Sequence, residues 1–509
     1  MLDKILLALF LLPLVGALGV SIAPKSGAKS IALFTSLVTF VLSIFLFQSF
    51  DGAISHQFQG LFSFPWIESL GVSFSFGIDG LSFPLVLLTQ LMMPVAVLSS
   101  WKEERHPKAF MASFLALGAF MTGTFLATDI VLFYVFWEAM LIPMILLIGV
   151  WGSKERVYAA VKFFIFTFAG SLFMLLSVLA VLWAYKNQTQ QFSAHLSDLV
   201  KVTWSKESLF WGLTAQELIF WGFTLAFLVK VPVFPLHTWL PDAHVQAPTG
   251  GSILLAAVLL KMGTYGLLRF SIPFGGESFS RFAPLIAVLS LVGVVYGALV
   301  AFQQADMKKL VAYSSVSHLG LVVLGICCQN SVGLSGALIQ NINHGLSTGA
   351  LFFLVGFLYD QRHSRLFSDY GGLASVLPWY SIALVMVACS SMAVPGLNGF
   401  VGELLILLGT FQKNQVWAWV AVTGVVLGAI YTLTLLRKVL FGPITQSENQ
   451  SLRDLGARDK WVLGILLIVM FWLGLAPGFL MDKMKTSVEG YWNKTSNSLD
   501  LSSETRPNS

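Results

Sequence analysis

Charge is what this sequence lacks most. Of its 509 residues only 11% are Asp, Glu, Lys or Arg, against 56% hydrophobic, where a soluble globular domain carries about 25% charged residues. A chain so poor in charge cannot cover itself with polar surface, so the bilayer is the solvent it suits. The mean hydropathy of +0.79 agrees. Cysteine is also scarce. Cys327, Cys328 and Cys389 lie in apolar stretches without CxxC spacing, which leaves metal, haem or iron–sulfur ligation without support. Nucleotide-binding signatures are missing too: no GxGxxG follows a strand, and no GxxxxGK precedes Ser or Thr. The first apolar stretch, from Ile5 to Ala23, has no small-residue cleavage site before a polar domain, so it reads as a retained helix.

What is present is a series of apolar runs, each about 20 residues or longer, the length that spans a bilayer. They cover 3–22, 30–48, 77–100, 110–127, 129–150, 159–185, 209–240, 250–272, 282–302, 309–328, 332–359, 378–411, 415–440 and 460–481. The expectation is an all-α membrane protein of about fourteen helices, the seventh and twelfth over-long and interrupted. With the N-terminus outside, the inner loops receive most of the basic residues, among them Lys102, Arg105, Lys154, Lys308, Arg365 and Arg453. The outer loops keep Lys186, Lys201, Lys206, Arg281 and Lys413. The net charge of +5 then reflects cytoplasmic loops, and both termini lie outside. Segments 51–72 and 187–207 read as loop, and the tail after Tyr491 has a disordered composition.

Six ionisable residues stand in the wrong solvent. Glu138, Lys230, Lys261, His318 and His344 fall near the midpoints of their runs, and Glu403 falls just past the break in the twelfth. A charged group at the centre of a span costs about 2.5–3.5 kcal/mol on insertion scales. One such histidine is as readily structural as functional. Six groups at similar depth argue for a proton path. Burial disfavours a lysine's charge and a nearby carboxylate restores it, so a Glu138–Lys230 pair that opens and closes is a usable pump element.

The interrupted runs point the same way. Pro232 and Pro235 follow Lys230, and Pro395 breaks the twelfth run; each proline removes a backbone donor. Two matched breaks are the sequence pointer to an inverted repeat with an ion site at its interface. His237, Asp242 and His244, in the loop after the first break, suit proton uptake from the cytoplasm. Capping the half-helix is the plainer reading, and no ligand spacing supports a metal. Asp129 reads as an N-cap.

Three stretches carry a family resemblance. Phe136-Trp137-Glu138 with Leu141-Ile142-Pro143-Met144, the run from Lys230-Val231-Pro232 to Asp242-Ala243-His244, and Tyr313-Ser314-Ser315-Val316-Ser317-His318-Leu319-Gly320 resemble the antiporter-like subunits of respiratory complex I, the proton-translocating NADH–quinone oxidoreductase. The resemblance covers nearly the whole chain. It implies fourteen helices in a bacterial inner membrane, with an N-terminal segment at 1–109, inverted repeats at 110–272 and 282–440, and a final helix and tail within 441–509. Glu138 would take the place of the helix-five glutamate, Lys230 and Lys261 those of the helix-seven and helix-eight lysines, and His318 and His344 those of the connecting path. Glu403 matches the branch that carries glutamate where its sister subunits L and N, the implied partners, carry lysine. NADH, FMN, Fe–S clusters and quinone would belong to other subunits. A multisubunit cation/proton antiporter and an inert membrane scaffold are the competing readings.

Overall fold

The structure is a computed structural model that describes residues 1–444 and 446–500, with side chains placed up to Trp492. Apolar runs this long have one way to satisfy their backbone inside a membrane, hydrogen bonding within each segment, and helices dominate. In chain order they are α1 (Leu2–Ile22), α2 (Ala28–Ser49), α3 (Phe83–Ser99), α4 (Pro107–Leu126), α5 (Ile130–Ala139), α6 (Leu141–Trp151), α7 (Arg156–Thr189) and the short α8 (Leu196–Leu199). Then come α9 (Ala215–Lys230), α10 (Trp239–Gln246), α11 (Thr249–Leu254), α12 (Leu260–Gly266), α13 (Ile272–Gly275), α14 (Glu277–Phe302), α15 (Met307–Cys327) and α16 (Ser331–Arg362). The last are α17 (Pro378–Ser391), α18 (Asn398–Lys413), α19 (Gln415–Leu440), α20 (Ala457–Leu475) and α21 (Gly478–Asp500).

Among the described residues, ten helical stretches are long and apolar enough to cross a membrane, counting α5–α6 and α11–α13 as one each. The bent pair α20–α21, with 61° between its arms, makes an eleventh. The outward faces are apolar at helical spacing. On α7, Ile165, Leu172, Leu176, Leu179 and Trp183 are all exposed, as side chains that face lipid are. The inner helices are the opposite case: the most apolar part of Thr249–Gly275 is buried throughout, and those of α15 and α16 nearly so. These three carry Lys261, His318 and His344.

Start signals match the elements they open. Asp129 accepts from the amides of Val131 and Leu132 at the head of α5, Asp306 does the same for α15, and Thr214 with Glu217 forms a capping box on α9.

Three expectations are corrected. The segment 51–72 is not only loop: strands β1 (Gln59–Ile67) and β2 (Val72–Ile78) pair antiparallel, and α3 starts at Phe83 rather than at 77. Alternating Phe and Ser in β2 was the unused signal. The seventh run begins with a small hairpin, β3 (Ser208–Phe210) and β4 (Leu213–Thr214), before α9. The fifth run holds as one apolar stretch, Ile130–Trp151, within which α5 and α6 meet at Met140. The tail continues α21 as helix to Asp500, and α21 is held before Tyr491, where Ser487 donates to the Ser55 carbonyl and Lys483 to that of Phe50; residues 501–509 lie outside the described part.

Candidate functional site

Glu138 lies one residue before the end of α5 and Lys230 ends α9. Lys230 is 1% exposed. Its ammonium sits 5.2 Å from the Trp137 ring centre and 5.5 Å from that of Phe163, with no hydrogen-bond partner. Glu138 faces the Ser171 hydroxyl and lies within electrostatic reach of Lys230, but one carboxylate oxygen is buried without a partner. The expected contact between the two is not made: no ion pair joins them within 4.0 Å. An aromatic ring face attracts a cation, and two rings hold this lysine while its acid stands off.

The first break leaves few loose ends. Val233 N–H donates to the Leu228 carbonyl at 3.0 Å, and the Trp239 indole N–H donates to that of Val229 at 2.9 Å. At the second break, before α18, Asn343 donates to the Asn398 carbonyl at 2.6 Å, and the Ser390 hydroxyl to the Asn398 side chain at 2.6 Å. Buried side chains thus replace the water that an interrupted helix otherwise needs. Pro232, Pro235 and Pro395 all fall inside these two unwound segments, 231–238 and 392–397.

The other four residues come together. Lys261, fully buried on α12, donates to the Ala256 carbonyl at 2.5 Å and lies 2.7 Å from His344 Nδ1. The His344 and His318 ring centres are 5.8 Å apart. His318 Nδ1 lies 3.0 Å from Glu403 Oε1, and Gln340 donates to the same oxygen at 3.2 Å. Lys261 is flanked by two π-helical segments, Leu255–Leu259 and Leu267–Ser271. Such bulges recur at functional sites, and here one aims the Ala256 carbonyl at the ammonium. Periodicity read this run as one regular helix, so the bulges were not legible.

His237, Asp242 and His244 do not form one cluster. Asp242 pairs with Lys162 at 2.6 Å. The His237 ring packs against Phe234 and Tyr296. His244, fully buried, stacks on Phe352 with ring centres 4.5 Å apart and has both ring nitrogens unpartnered. Beside it Lys308 donates to the Ala247 carbonyl at 2.6 Å and lines a cavity of about 360 Å³ with Lys102, Gln246, Asp360 and Arg365. Sequence reasoning passed over Lys162 and treated Lys308 as a loop charge, since both stand near helix ends. It also passed over Tyr431, whose hydroxyl lies 3.0 Å from His318 Nε2. Among the described residues no three His, Cys, Asp or Glu side chains gather to hold a metal.

This fold recurs in known proteins. The profile of the family described as NADH:quinone oxidoreductase/Mrp antiporter, TM, matches residues 127–428. Subunit M of NADH-quinone oxidoreductase from Rhodobacter capsulatus is 43% identical over 476 residues, 92% of this chain and 90% of that protein. The chain belongs to the subunit M family of NADH–quinone oxidoreductase. Chain 4 of the NADH-ubiquinone oxidoreductase of Marchantia polymorpha is 38% identical, covering 94% of this chain and 95% of that one. A chain of respiratory complex I from Thermus thermophilus superposes with a TM-score of 0.87 at 31% identity, over 96% of this chain and 99% of that chain. The Mrp complex of a Dietzia species has a chain with a TM-score of 0.82 at 22% identity, over 96% of this chain and 52% of that one, a likeness of fold alone.

Proposed function

We propose that this chain is a proton-translocating membrane-arm subunit of NADH–quinone oxidoreductase, moving protons along Glu138, Lys230, Lys261, His344, His318 and Glu403. The observation that carries the reading is the buried contact series from Lys261 through the two histidines to Glu403, closed by hydrogen bonds at both ends. Each member can hold or release a proton, and the gap between the two rings suits one bridging water. Glu138 and Lys230 stand apart as a second, open pair. Making that contact would stabilise the lysine's charge and breaking it would release a proton, so the pair's geometry can gate transfer.

On this reading the redox cofactors, NADH, FMN, Fe–S clusters and quinone, reside in other subunits, and electron transfer there drives the charge rearrangement here. The chain crosses a bacterial inner membrane about fourteen times, ten of the crossings forming two inverted five-helix repeats, beside L- and N-like subunits. Uptake from the cytoplasmic face runs by the Lys308 cavity and His244, with Asp242 held by Lys162. The decisive measurement compares Glu138→Gln and Lys230→Ala in the assembled complex. Assembly should persist while proton translocation coupled to quinone reduction falls to a small fraction. Unchanged translocation in both would leave an inert scaffold as the better account, and sodium–proton exchange by the purified chain in liposomes would favour the antiporter.

A further inference from the structure

His318 is held from both sides. Glu403 on α18 faces its Nδ1 and Tyr431 on α19 faces its Nε2, each at 3.0 Å. The other titratable group against the ring is His344 on α16, with Lys261 behind it. Tyr431 is 1% exposed, and its hydroxyl has a second neighbour, Ser314. Ser314 stands four residues before His318 on α15 and gives its own proton to the Val311 carbonyl at 2.8 Å. Its oxygen therefore remains free to accept.

The Tyr431 hydroxyl has one proton and two acceptors within reach. When His318 is neutral with its proton on Nδ1, that N–H donates to Glu403, and Nε2 is a bare lone pair that accepts the phenol proton. When Nε2 carries a proton, either in the imidazolium or in the alternative tautomer, it donates to the phenol oxygen. The phenol must then turn its own proton to Ser314. A buried polar atom left unpaired costs about 1–3 kcal/mol, and more if charged. Tyr431 with Ser314 removes that cost in every protonation state of the ring.

We propose that Tyr431, assisted by Ser314, is a positioning residue that lets His318 take a proton on Nε2 and pass the one on Nδ1 to Glu403. The balance is simple. A proton supplied by the path is taken on Nε2 as the phenol turns its own proton to Ser314, the Nδ1–H bond breaks, and the proton leaving Nδ1 goes to the Glu403 carboxylate. The ring stays neutral as the Nε2–H tautomer, its N–H on the phenol oxygen. This inference rests on the proposed proton path and adds to it a residue outside the Glu/Lys/His row.

The test uses the intact complex in native membranes or proteoliposomes. Tyr431→Phe deletes one oxygen and should leave assembly intact on native gels. Losing the acceptor for a charged N–H penalises the imidazolium more than losing the donor penalises the neutral ring. The pH profile of proton translocation should therefore move to lower pH by about one unit, with Ser314→Ala moving it the same way by less. A wild-type profile in an assembled Tyr431→Phe complex overturns the proposal; if that variant does not assemble, Ser314→Ala decides by the same criterion. His318→Gln separates the two levels. Normal translocation there defeats the path itself, whereas lost translocation there with an unmoved Tyr431→Phe profile defeats only the role of Tyr431.

Discussion

Replacing Asp79 by Asn should destabilise this protein more than any single change on the polar row. Arg269, on the second π-helical segment, donates to both carboxylate oxygens of Asp79 at 2.6 and 2.7 Å, and the two side chains are only 12% and 8% exposed. Breaking a buried pair by removing one partner costs about 3–5 kcal/mol, because a desolvated charge is left behind. The pair is lopsided. Asp79 also accepts from Leu81 N–H and Ser82 N–H at 3.1 Å and from the Ser82 hydroxyl at 3.2 Å. Arg269 would keep one bond to the Tyr265 hydroxyl at 3.1 Å and the Phe58 ring at 4.8 Å. Asp79→Asn should therefore sit near the upper end of that range and Arg269→Met near the lower. The double variant should recover most of the loss, since neither charge is left bare. The assay is graded heating of the detergent-solubilised complex, read as the fraction of the subunit retained in the native band. Equal losses in the two single variants, or a double variant no better than Asp79→Asn, would refute the reasoning.

Two further outcomes follow from local geometry. Asp129→Ala should cost about 1–2 kcal/mol, because Asp129 caps α5 and also accepts from Ser73 N–H at 2.9 Å; Asp129→Asn should restore most of it, by the same heating assay. At Gly336, a Cβ would stand 2.6 Å from the backbone nitrogen of Ile406, so even Gly336→Ala must push α16 from α18. That should cost about 1–3 kcal/mol and weaken the Gln340–Glu403 bond that crosses this contact, seen as a loss of proton translocation larger than the loss of assembled complex.

Much of the candidate site was readable before the fold was known, because a membrane makes misplaced charge conspicuous. Lys261 between Leu260 and Met262, or Glu138 after Phe136-Trp137, has no reason to be there in lipid except to pair or to work. The same rule failed near helix ends. Lys162 carries no signal in the sequence and Lys308 reads as a loop charge, yet one holds Asp242 and the other is 7% exposed. Tyr431 escaped because an aromatic in an apolar run carries no signal until its hydroxyl is seen against a histidine.

By itself, then, the sequence determined the solvent, the helical class, the two breaks and which ionisable groups lie inside apolar runs. These follow from hydropathy, from proline's missing N–H and from the cost of charge in lipid, and all of them are local. Tertiary structure decided which of those groups meet. His318 and Glu403 are 85 residues apart, Lys261 and His344 are 83 apart, and only the packing of α15, α16, α18 and α19 around α12 brings them within hydrogen-bonding distance. It also decided that Glu138 and Lys230 stand apart, since the break after α9 turns the lysine onto two aromatic rings. Periodicity along one chain cannot foresee a contact set by a neighbouring helix.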